Sequence, residues 1–115
     1  MAFAHGFSKT FEFVANISTA TGTTTLVAAP GAGKALRIQS LIICLTTTSV
    51  QTFDIEDTSG TVELFKAPAS LAIGPWPIDA GPLGHPLTTN EALRYVPSAA
   101  GSGLTISGWG WVWEI

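Results

Sequence analysis

Apolar and polar side chains alternate with period two along most of this chain, and the period of an amphipathic helix is almost absent. Phe11, Phe13, Ala15 and Ile17 alternate with Glu12, Val14 and Asn16, the pattern of a half-buried strand. Residues 23–29 are rich in β-branched side chains and stop at Pro30-Gly31-Ala32-Gly33, a turn by composition. Residues 36–45 make the strongest predicted strand. Strict alternation puts Leu36, Ile38, Ser40, Ile42 and Cys44 on one face and Arg37, Gln39, Leu41, Ile43 and Leu45 on the other. The second half is then apolar on both faces, which asks for cover on both.

Further along, residues 50–56 carry Phe53 and Ile55 on one face, and residues 62–65 follow after Asp57-Thr58-Ser59-Gly60. Asp at the start of a turn and Gly at its end suit type I geometry, so a hairpin is predicted here. Five of the seven prolines (Pro68, Pro75, Pro77, Pro82 and Pro86) fall within residues 68–86. Proline cannot donate to a sheet ladder, so this region is expected to hold an edge strand and crossing loops. Residues 92–96 and 104–115 supply two more strands, joined by a small-residue connection. Short strands at near-regular spacing predict an all-β, antiparallel sandwich of about eight strands, with a long crossing of Greek-key or jelly-roll type. One domain over residues 11–115 is expected, preceded by an N-terminal arm of residues 1–10.

Composition changes the picture in one respect. Charged residues make up 11% of the 115, against about 25% in ordinary globular chains. Such a chain either enters a membrane or buries much of its surface against other chains. The best apolar run contains Arg37, Gln39 and Ser40 and is too short to span as a helix. No basic start followed by an apolar run marks residues 1–10 as a secretory signal. A net charge of −3 and five scattered basic residues argue against a nucleic-acid surface. The expected partners are therefore neighbouring chains, with no nucleic acid and no membrane. The single cysteine, Cys44, excludes an intrachain disulfide and suits a reducing compartment.

The candidate chemistry is sparse. Pro30-Gly31-Ala32-Gly33-Lys34 resembles a phosphate loop, but Ala28 and Ala35 stand where that motif needs Gly and Ser or Thr, so it reads as a turn. His5 and His85 have no ligand cluster at metal spacing. Asp54, Glu56, Asp57 and Glu63 gather about the hairpin, where a cation site competes with an ordinary solvated face. No nucleophile elbow is present. No catalytic residue, cofactor or metal is expected. Trp109, Trp111 and Trp113 share one face of the last strand, with Leu104, Ile106 and Val112 on the other. That stripe suits a subunit interface, the core, or a sugar-stacking platform. The two-sided segment makes Leu41, Ile43 and Leu45 further interface candidates. In the arm, Phe3, His5 and Phe7 are candidates for seating in a partner, with Gly6 supplying a bend.

The run from Leu26 to Leu41, LVAAPGAGKALRIQSL, with its Gly-Lys turn and apolar-Arg-apolar-x-Ser-Leu strand, resembles a stretch of small phage and prophage structural proteins. The hairpin at Asp57-Thr58-Ser59-Gly60 and the Pro/Gly-rich crossing follow in the same order. The Trp-rich final strand and the aromatic N-terminal segment depart from that pattern. The resemblance implies a jelly-roll-like sandwich, often trimeric, serving as a decoration, cement or fibre component of a virion. A homotrimer bound to a major capsid protein or another virion protein is the expectation, on the capsid surface after synthesis in the host cytoplasm. A carbohydrate- or receptor-binding module of a tail is the alternative.

Overall fold

A computed structural model describes residues 6–17, 22–46, 52–68, 72–81, 84–98 and 103–114, with side chains from Lys9 onward. Among these residues lie β1 (Gly6–Ile17), β2 (Thr24–Val27), β3 (Lys34–Leu45), β4 (Phe53–Asp57), β5 (Glu63–Ala67), β6 (Gly74–Asp79), β7 (His85–Pro86), β8 (Leu93–Pro97) and β9 (Leu104–Glu114). They form two antiparallel sheets. One runs β1-β9-β3-β6, with β7 also beside β3, and the other runs β2-β8-β4-β5. With the two-residue β7 set aside, this order is that of the expected jelly roll. Proline-bearing β6 lies at a sheet edge, where Pro75 and Pro77 remove no central ladder bond.

The core lies between the sheets. Leu36, Ile38, Leu41, Ile43 and Leu45 of β3 meet Leu104, Ile106 and Val112 of β9 on one side. Phe53 and Ile55 of β4 with Leu93 and Tyr95 of β8 close it from the other. The Phe53 ring lies 5.2 Å from that of Tyr95 and 6.0 Å from that of Phe65. Full burial of each such side chain is worth about 1.5–3 kcal/mol.

The structure corrects the reading of β3. Ile38 pairs with Gly110 of β9, but Ser40 pairs with Trp109, so Gln39 is an extra residue in a β-bulge. The bulge reverses the alternation. Leu36 and Ile38 point inward before it, and Leu41, Ile43 and Leu45 point inward after it. These last three, expected at a subunit interface, are core residues of the chain itself. Ile42 and Cys44 are turned outward and exposed, so nothing among the described residues covers the second face. The bulge sits where the neighbour of β3 changes from β7 to β6. There the Gln39 carbonyl accepts from the Ala80 amide at 3.0 Å, and its side-chain amide donates to the Gly81 carbonyl.

The glycines of β9 have a packing reason. Gly108 and Gly110 lie on the inner face opposite Phe13 and Phe11 of β1. A methyl group on either would stand 3.0 Å from the facing phenyl ring and press on a β3 carbonyl, that of Ser40 or Arg37 respectively. Their bare backbones let both rings fold across β9 towards the core.

The N-terminal boundary also shifts. Strand β1 begins at Gly6, which pairs with Glu114, so residues 6–10 of the expected arm belong to the sheet. Gly6 is a ladder position, not the bend of a free arm. Phe3 and His5 lie outside the described residues, and Phe7 pairs through its backbone with Trp113.

Candidate functional site

The two sheets turn different surfaces outward. On the four-stranded sheet, β4 and β5 set Asp54 opposite Lys66 and Glu56 opposite Glu63, and β8 adds Arg94 beside Glu56. The Lys66 ammonium lies 3.4 Å from Asp54 and 3.5 Å from Glu63, and Arg94 reaches Glu56 at 2.5 Å. The hydrogen bond from Lys66 to Asp54, helped by both carboxylates, holds the ammonium above its ordinary value. Asp54, Glu56 and Glu63 do come together, with carboxylate oxygens within 4.8 Å of one another. Lys66 and Arg94 already answer their charge, and the cluster is a solvated ion-pair face.

Asp57, grouped with those acids in the sequence, points the other way and is fully buried. Its carboxylate accepts from the Ser59 hydroxyl at 2.7 Å, the Val62 amide at 3.4 Å and the Thr88 amide at 3.0 Å. Burial alone would push this carboxyl up. The hydrogen bonds from Thr88, Ser59 and Val62 outweigh burial and bring it down to about 2. The predicted turn is present, closed by the Gly60 amide on the Asp57 carbonyl at 3.0 Å, with Gly60 at φ 74°. Thr58 is bonded to Ala92 through both backbone and side chain, so the turn is stitched to the segment before β8. Sequence reading missed this clasp. An Asp two residues before a Ser was its only local signal.

The five-stranded sheet turns outward a different set. Alternation along β9 places Thr105, Ser107, Trp109, Trp111 and Trp113 on this face. Register with the flanking strands makes three rungs: Glu12–Trp109–Ser40, Val14–Ser107–Ile42 and Thr10–Trp111–Arg37. Val14 is 70% exposed, Trp109 43% and Ile42 41%. Trp111 and Trp113 are half-buried. The Trp109 and Trp111 rings are tilted at 44° with centroids 6.2 Å apart, and the Arg37 guanidinium lies 4.6 Å from the centre of the Trp113 ring. Glu12, Val14, Ser40, Ile42, Ser107 and Trp109 surround a shallow depression of about 260 Å³. Cys44, Pro75 and Pro77 continue the exposed surface towards β6. The stripe of three tryptophans is thus on the outer face and not in the core.

The remaining candidates have plain roles. The phosphate-loop look-alike is a turn with positive φ at Gly31 and Gly33, closed by the Lys34 amide on the Gly31 carbonyl at 3.2 Å. Asn90 buttresses it, its side chain accepting from the Gly31 amide at 2.9 Å. His85, expected in a loop, is an exposed residue of β7 paired with Ile38. Comparison of the sequence with protein-family models and with curated proteins gives no match.

Proposed function

We propose that this protein is a non-catalytic structural subunit of a virion, a decoration or cement protein that covers the head surface as a closed homo-oligomer. The observation that carries the reading is the contrast between the two outer faces. One sheet offers water a network of ion pairs, while the other leaves Val14, Ile42 and Trp109 open among few charges. Large apolar side chains left exposed together on one face mark an interaction site. The resemblance of residues 26–41 to small phage structural proteins supplies the setting, and the expected copy number is three. Repetition of one modest contact around a ring gives strong attachment through avidity. Phe3, His5 and Phe7 are proposed to anchor the ring to the shell.

Cryo-electron microscopy of phage particles made with and without this chain tests the reading. The expected difference is density for a ring of small sandwiches on the head surface. Particles that never contain the chain overturn it. A chain lacking residues 1–5 keeps every described strand, so it should fold normally and occupy the head at a clearly lower level. Occupancy equal to that of the full chain removes Phe3 and His5 from the anchor.

A further inference from the structure

We infer that the outer face of the five-stranded sheet is where a second copy of this chain packs, the β1 side of one copy lying over the β3 side of the next. This rests on the assembly reading above and names its surface and partner.

The face has the size a stable contact needs. Strands β1, β3 and β9 are 11 or 12 residues long. At about 3.3 Å per residue and about 4.8 Å between strands, these three rows and the six-residue β6 beside them cover about 650 Å². A standard interface takes roughly 600–1,000 Å² from each partner. Its composition fits as well, with the tryptophans of β9 in the middle, Val14 and Ile42 on either side of that column, and Pro75 and Pro77 at the β6 edge. Glu12 stands on the β1 side of the tryptophan column and Arg37 on the β3 side, one rung apart. Laying β1 over β3 sets Glu12 of each copy one rung from Arg37 of its neighbour, whereas β1 over β1 would oppose two glutamates and β1 over β6 would set Glu12 against the exposed Asp79.

A sugar platform is the rival occupant, since Trp109 has Ser40, Ser107 and Glu12 around it. Val14 and Ile42, on either side of Ser107, favour a protein surface. They offer aliphatic groups where a glycan would need hydrogen-bonding partners for its hydroxyls.

Cys44, the chain's one cysteine, is exposed on this face two residues beyond Ile42 and reports its cover directly. The test uses the full chain, with sedimentation velocity at micromolar concentration and the rate of Cys44 alkylation by a maleimide. The variants are Trp109→Arg and Val14→Arg, both at exposed positions, with folding verified by circular dichroism. The wild-type chain should sediment at a multiple of 12.0 kDa with Cys44 protected. Each variant should fall to 12.0 kDa, with self-association weakened at least about a hundredfold by the buried charge and Cys44 opened to reagent. If the wild type and both variants share one oligomeric mass and one slow alkylation rate, the face is not the interface, though the assembly reading stands. If the wild type sediments at 12.0 kDa with Cys44 freely reactive, self-packing and the oligomeric part of the assembly reading both fall. Tryptophan fluorescence that shifts with cellohexaose or chitohexaose in the wild type but not in Trp109→Arg assigns the face to a glycan and overturns the inference.

Discussion

Replacing Gly110 with alanine should cost about 2–4 kcal/mol, far more than one methyl group usually costs in a strand. The new carbon would collide with the Arg37 carbonyl oxygen and lie 3.0 Å from both the carbonyl carbon and the Phe11 ring. Two of those three atoms are backbone of the adjacent strand. Relief therefore requires β3 and β9 to part, and β9 is also the partner of β1. Side-chain rotation at Phe11 cannot absorb the change. Gly22→Ala is the matched control, because nothing lies within 4 Å of the position its methyl would take. Urea unfolding should show a large fall in midpoint for Gly110→Ala at unchanged slope, and a shift below about 0.5 kcal/mol for Gly22→Ala. A Gly110→Ala midpoint equal to that of the wild type would show that the two strands are not held this closely.

Acid should weaken the fold through Asp57, and the Asp57→Ala change should do so at every pH. The folded value of about 2 lies below the ordinary 3.8, so the unfolded chain takes up the proton first. The stability this carboxylate provides is complete above pH 3.8 and is lost as pH falls through that value towards 2. A displacement of this size corresponds to about 2 kcal/mol. Removing the carboxylate leaves the part-buried amides of Val62 and Thr88 without their acceptor, a cost of about 2 kcal/mol. Asn does not rescue it, because one of its two heads donates where Thr88 also donates. Unfolding measured between pH 2 and neutrality, a range chosen from these values, should fall steeply at the acid end for the wild type and less steeply for Asp57→Ala. Parallel curves would remove Asp57 from the clasp.

The fold was largely legible because its signals are local. Alternation in β1 and β9, the Asp57–Gly60 turn and the proline cluster each act over a few residues, and the structure places them as predicted. That the three tryptophans share one face followed from alternation, since Gly108 and Gly110 kept the count of β9 regular, but that this face is the outer one came only from the structure. Beyond Gln39 the same rule failed. Nothing in the residue types of β3 marks the extra residue, because the bulge answers a change of neighbouring strand set by segments far along the chain. One unseen residue exchanged the two faces, moving Leu41, Ile43 and Leu45 from candidate interface to core and Ile42 and Cys44 to the surface. Composition had asked for a second covered face, and it was right to find apolar surface there, but on the opposite set of side chains. The buried state of Asp57 was hidden for a related reason. Its third donor, Thr88, is thirty-one residues away, and no local pattern announces it.

The position of β9 between β1 and β3 also governs when the molecule can come into being. It is the last described strand, yet the five-stranded sheet is built around it, with Gly6 meeting Glu114 across nearly the whole chain. Even the nearest pair of this ladder, Ile17 with Leu104, closes a loop of 87 residues (104 − 17) before it gains its contacts, which places folding among the slow, milliseconds-to-seconds cases. During synthesis β1 and β3 must wait with open edges for their common partner. Until β9 leaves the ribosome the five-stranded sheet cannot assemble, and a transcript cut short before residue 104 yields a chain exposed to aggregation.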